Sequence, residues 1–155
     1  MTNEKDELRR ARVLWGHTRE GLLEFIAAEC RFITDKQRAA ISQFPYDALD
    51  ALYDEVMGAA YIVSFENGGN GDLVDPVKIA RVKDLQKAII KSYINSRFVT
   101  AVHNKGQVMR GRLTNDYPAS ESGELAFIDY NGLAWDLTNF TSFDPPLYGG
   151  GSEQT

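Results

Sequence analysis

The stretch Arg97–Thr114, RFVTAVHNKGQVMRGRLT, decides the fold. Before it, apolar residues recur every three or four positions, as on one face of a helix. Within it they alternate. Phe98–His103 reads as a strand, Asn104-Lys105-Gly106 as a hairpin turn, and Gln107–Thr114 as a second strand. The change of period divides the chain into a helical part and a β part, an α+β protein.

Working back toward the N-terminus, Leu22, Leu23, Phe25, Ile26, Cys30 and Ile33 predict a helix over Arg19–Ile33, with Thr18 as its N-cap. Thr34-Asp35-Lys36-Gln37 has the capping-box pattern and opens a short helix to Gln43. Pro45 ends that helix or starts the next, which spans 46–64 with Leu49, Leu52, Tyr53, Val56, Ala59, Ala60 and Val63 inward. The glycine-rich segment 66–74 is a loop, and Asp75-Pro76 starts a last helix reaching Ser96. The apolar stripe of that helix is Ile79, Val82, Leu85, Ile89, Ile90 and Tyr93, beside Lys83, Lys87 and Lys91. The two long helices form an antiparallel pair. Their apolar surface exceeds what a small sheet can cover, so a homo-oligomer through residues 46–96 is expected.

Toward the C-terminus, Glu124–Tyr130 is a third strand and Asn131-Gly132 the preferred pair for a two-residue type I′ turn. Leu133–Thr138 is a fourth strand and Asn139–Phe143 a short fifth, stopped by Pro145-Pro146. The resulting domains are a polar arm (1–17, containing Trp15 as a candidate anchor), a helical region (18–96), a five-stranded antiparallel small barrel or strongly bent sheet (97–146) and a flexible tail (147–155).

Arg112 is the last basic residue. Beyond it stand seven carboxylates: Asp116, Glu121, Glu124, Asp129, Asp136, Asp144 and Glu153. The chain has 17 basic and 22 acidic residues, so residues 1–112 carry 17 against the remaining 15. A near-neutral N-terminal part is thus joined to a C-terminal part of net −7. Carboxylates repel a phosphate backbone, so direct DNA binding is not expected. A basic protein surface is the expected partner for Asp116, Glu121, Glu124, Asp129, Asp136 and Asp144.

Arg110 and Arg112 lie two apart on a strand and share a face. They fit two readings: a pair of guanidinium forks for a phosphate or nucleotide, completed by an aromatic such as Tyr130, or an exposed sheet face with cross-strand ion pairs. Gly111 between them suits a sharp bend or the close approach of another backbone. Asp129 and Asp136 could face each other across the hairpin, but no substrate pocket is implied.

No catalytic constellation is apparent. The two histidines, His17 and His103, lie in different contexts, no His-Glu-x-x-His or Gly-x-Ser-x-Gly pattern occurs, and the single cysteine, Cys30, sits on an apolar helix face. No enzyme, cofactor or metal is expected. The longest apolar runs fall well short of the ~20 residues of a membrane span, and the charged N-terminus lacks a signal-peptide core. A soluble cytoplasmic protein is the expectation.

The β part resembles a known family. Phe98-x-Thr-x-Val102, Gly106–Leu113, Leu125–Tyr130 and Trp135–Phe143 together look like an Sm-like barrel. The run Leu137-Thr138-Asn139-Phe140-Thr141-Ser142 is most similar to the ending of the Rho-binding antiterminator family. That resemblance covers residues 97–146. It implies a small acidic barrel acting by binding a protein and occluding an RNA-binding surface. The expected function is therefore a non-catalytic regulator or inhibitor acting on a nucleic-acid-handling protein. The alternatives are an oligomeric module for a small nucleotide or short RNA using Arg110 and Arg112, and a structural subunit of a larger assembly.

Overall fold

The computed structural model describes residues 18–66, 75–115 and 124–147. The arm with Trp15, the glycine-rich loop from residue 67 and the tail from residue 148 lie outside the described residues. The chain divides into two compact units, one ending at Ile94 and one beginning at Asn95. Their architecture is α+β: helices first, then an antiparallel sheet.

The helical unit contains α1 (Arg19–Glu29), α2 (Asp35–Ser42), α3 (Tyr46–Ser64) and α4 (Pro76–Ile94). Local chemistry sets its helix starts. Gly21 N–H donates to Thr18 Oγ1 at 2.9 Å. The capping box forms in both directions: Gln37 N–H donates to Thr34 Oγ1 at 3.0 Å and Thr34 N–H to Gln37 Oε1 at 3.1 Å. At the head of α4, Val77 N–H donates to Asp75 Oδ1 at 2.9 Å.

Helix α1 is shorter than its apolar spacing predicts. Cys30 leaves the helical conformation (φ −111°, ψ 67°). The chain must turn there to reach the extended geometry that Thr34 needs as an N-cap.

The pair α3 and α4 runs antiparallel. Lys78 Nζ donates to Ser64 O at 3.1 Å, Gln86 Nε2 to Val56 O at 3.2 Å, and Tyr93 OH to the Glu55 carboxylate. Leu22, Ile26, Leu49, Leu52, Val56, Val63, Ile89 and Ile90 fill the core. Each such side chain contributes on the order of 1.5–3 kcal/mol through burial.

The apolar stripe of α4 is occupied differently from its spacing. Gln86 is buried and also donates to Glu29 Oε2 at 3.0 Å, whereas Ile79 is 45% exposed. Gln86 meets α1 at its last residue. Beyond that point an open hollow of about 240 Å³ is lined by Ile79, Val82, Lys83 and Ala60.

The second unit is a five-stranded antiparallel sheet in the order β4-β3-β2-β1-β5. Its strands are β1 (Arg97–His103), β2 (Val108–Thr114), β3 (Ala126–Asp129), β4 (Ala134–Trp135) and β5 (Phe140–Asp144). Strands β4 and β5 are the two edges and are not hydrogen-bonded to each other, so the sheet is not a closed barrel. Residues 137–139 form a 3-10 turn, where 137 and 138 are expected to continue β4 and 139 to begin β5.

The sheet curls around one face. Val99, Ala101, Leu113, Phe127 and Phe140 are buried there, with Met109, Trp135, Leu137, Phe143 and Leu147 packed against them. The Phe127 ring on β3 lies 4.9 Å from Phe140 and 6.2 Å from Phe143, both on β5. Rings three strands apart can touch only if the sheet bends strongly.

Candidate binding surface of the β-unit

Two turns built alike organise the sheet. Gly132 N–H donates to Asp129 O at 2.9 Å and Asp129 N–H to Leu133 O at 3.0 Å. The loop is therefore Tyr130-Asn131-Gly132, three residues long, in place of the two-residue turn expected at Asn131-Gly132. In the first hairpin, Gly106 N–H donates to His103 O and His103 N–H to Gln107 O, both at 2.7 Å. Gly132 (φ 87°) and Gly106 (φ 89°) take the left-handed position that closes such loops, where a Cβ would be strained.

The residue that opens each loop caps it with its own side chain. Asp129 Oδ1 accepts from Asn131 N–H (2.9 Å) and Leu133 N–H (3.0 Å), while His103 Nδ1 accepts from Lys105 N–H (3.0 Å). Asp129 does more. Its Oδ2 accepts from Trp135 Nε1 at 2.9 Å and fixes the indole against the core. The His103 ring stands edge-on to Trp135 (5.6 Å) and Phe140 (5.8 Å). Loop caps and aromatic core are thus one structure.

Asp129 is therefore not part of an exposed acidic surface. It is buried, on the core side of the sheet, with both carboxylate oxygens engaged. Nor does it face Asp136: its cross-strand neighbour is Leu133, through the backbone bond above. Asp136 is exposed and caps the 3-10 turn, its Oδ1 accepting from Thr138 N–H and Thr138 Oγ1, both at 3.0 Å. Those two bonds, the backbone one first, hold its carboxyl below the ordinary value. Glu124 and Asp144 are exposed, beside β3 and at the end of β5. Asp116 and Glu121 lie outside the described residues.

The outer face carries the arginines. Register sets Arg110 beside Thr100, and Thr100 beside Asp144 on β5, so the three form one row across β2, β1 and β5. Arg112 lies opposite Phe98 on one side and Ile128 on the other. The two guanidinium groups share a face and differ in environment. Arg110 is exposed; Arg112 is 1% exposed and donates from Nη1 to Ser96 Oγ at 2.7 Å. Tyr130 is half-buried, one residue past β3, at the level of Arg110.

Between the arginines, Gly111 allows β2 and β3 their close approach. A Cβ there would stand 2.3 Å from Ile128 O and 2.7 Å from Phe127 Cζ. Of the two readings of this glycine, close approach is the one realised.

Sequence reasoning missed the Asp129–Trp135 link. A signal for it exists: an acceptor side chain three residues before a turn glycine occurs in both His103-Asn104-Lys105-Gly106 and Asp129-Tyr130-Asn131-Gly132. Among the described residues, no group of three His, Cys, Asp or Glu side chains could hold a metal ion, and no helix is long and apolar enough to cross a membrane. No protein-family model, curated protein or solved structure matches the chain.

Proposed function

We propose that this chain is a non-catalytic regulatory or inhibitor protein whose β-unit binds a basic surface of a nucleic-acid-handling protein. One observation carries the reading: no positive side chain follows Arg112, while seven carboxylates do. Glu124, Asp136 and Asp144 are exposed within that region, and Asp136 is held ionised by its bonds to Thr138. Asp144 at the end of β5, with Glu124 and Asp136 on the segments flanking β3 and β4, can meet Lys and Arg and speed encounter through long-range attraction.

Under this reading the curled sheet is an open relative of the Sm-like barrel, and the partner is occluded where it would otherwise hold RNA. The buried position of Arg112 favours the acidic reading over a nucleotide gripped by two arginines, since one of the two guanidinium groups is committed to Ser96.

The test is affinity capture from the source cell's lysate on the immobilised full chain, beside a variant carrying Glu124→Gln, Asp136→Asn and Asp144→Asn. The reading expects a basic protein retained by the parent and lost from the variant. The same proteins on both columns would overturn it.

A further inference from the structure

The helical unit carries two exposed rows of side chains that match each other. On α3, the exposed Asp50, Asp54, Tyr61 and Phe65, with the half-buried Met57 among them, recur every three or four residues on the side turned from the core. Tyr61 is 72% exposed and Phe65, at the helix C-cap, 50%, with their rings 5.2 Å apart. Such a pair is unusual on a solvated surface. On α4, Val77, Ala80, Asp84, Lys87 and Lys91 form a second exposed row with the same spacing. Both rows have the three-four step by which helices pack against helices.

Their order is complementary. Read along the chain, the α3 row passes from carboxylates to aromatics, and the α4 row from small apolar residues to lysines. Laid antiparallel with Tyr61 against Ala80, Asp54 falls against Lys87 and Asp50 against Lys91, because each residue lies seven or eleven positions from its anchor. Phe65 then falls against Pro76 and Val77. Asp84, the one acid of the α4 row, falls against Met57 and Gly58, where α3 has no carboxylate.

The surface around Pro76, Val77, Ala80, Arg81 and Asp84 is a shallow, open depression of about 450 Å³, its floor low at Pro76, Val77 and Ala80. That is room for aromatic rings. The Asp54 carboxyl is raised by burial and by Asp50 beside it, and a facing lysine relieves that repulsion.

We propose that these rows bind each other between two copies of this chain, the α3 row of one on the α4 row of the other. A two-fold axis parallel to the helices makes the contact twice and closes the assembly as a dimer. Tyr61, Phe65 and Val77 expose on the order of 400 Å² per copy, so covering them in two copies buries up to about 800 Å², and the charged flanks bring the contact past the ~1,000 Å² of a specific interface. The inference is independent of the acidic β-unit.

The test is sedimentation velocity on the full chain from about 1 to 200 µM, with helicity checked by circular dichroism. The proposal expects concentration-dependent dimers. Tyr61→Asp should weaken them roughly 30-fold per contact, hence about 1,000-fold for a contact made twice. Val77→Asp, on the opposite row, should do the same and guards against a fault peculiar to one variant. Two charge reversals test the register: Asp50→Lys with Asp54→Lys in one protein, and Lys87→Glu with Lys91→Glu in another. Each alone should stay monomeric, and their mixture should dimerise. A monomer at every concentration overturns the proposal, whatever else covers the surface. So does association that these variants leave unchanged, or a mixture that stays dissociated.

Discussion

Replacing Gly111 with alanine adds one methyl group at the most crowded point of the sheet. Its Cβ would lie 2.3 Å from Ile128 O, 2.7 Å from Phe127 Cζ and 3.0 Å from Asp129 Cα. Two of these neighbours are backbone of β3, which its ladder with β2 holds in place, and the third is a ring inside the aromatic core. No rotamer change relieves all three, so β2 and β3 must separate. Overpacking of this kind costs about 1–3 kcal/mol, and a backbone clash belongs at the upper end, ~3 kcal/mol. A unit of this size holds roughly 3–9 kcal/mol in total, so the substitution removes a third or more of its stability and lowers its Tm by about 12–24 °C.

The assay is urea denaturation followed by Trp135 fluorescence in a Trp15→Phe background, which isolates the β-unit signal. Gly58→Ala is the internal control. It makes the same chemical change within α3, where nothing lies within 4 Å of the added Cβ. It should stabilise the helical unit by about 0.5–1 kcal/mol through helix propensity, read by far-UV circular dichroism, and leave the Trp135 transition where it is. A Gly111→Ala protein within about 0.5 kcal/mol of the parent would mean that β2 and β3 are not held at this spacing.

Three further expectations follow from particular contacts. Asp129→Asn keeps one carbonyl oxygen where three N–H donors converge, so it should cost about 1.5–3 kcal/mol and move the Trp135 indole N–H resonance; an unmoved resonance would deny the link. Burial, with Glu29 beside it, pushes the Cys30 thiol up to about 12, so native protein at pH 8 should resist a thiol reagent that reacts fully in urea. Native-state labelling at the rate of a free thiol would contradict this. The Asp136 carboxyl is lowered from 3.8 by its bonds to Thr138. Its cap is therefore fully present above pH 3.8 and is lost as pH falls through the lower folded value. The Thr138 amide resonance should titrate below pH 3.8, and a midpoint above that value would count against the cap.

The features that sequence declared were local ones. Thr34 and Gln37 form their reciprocal cap, Asp75 opens α4, and the alternation of 97–114 becomes β1 and β2 joined through Asn104-Lys105-Gly106, because each depends on residues a few positions apart. What it left open was coverage. Alternation places Arg110 and Arg112 on one face but does not say that one is exposed and the other buried on Ser96. Periodicity put Ile79 in the core stripe. The polar Gln86 took the buried place, because α1 ends where it can accept that amide's hydrogen bond. Asp129 read as one carboxylate among seven until the three-residue loop and the indole of Trp135 gave it partners across the hairpin. Each of these outcomes depends on a partner distant in sequence, which composition and spacing do not carry.

The claim that an acidic β-unit recognises a basic protein is tested most directly by titration calorimetry of the full chain against its captured partner across a salt series. Affinity should fall about tenfold or more between about 50 mM and physiological salt. Neutralising Glu124, Asp136 and Asp144 should flatten the slope. An affinity indifferent to salt and to those three carboxylates would contradict the claim.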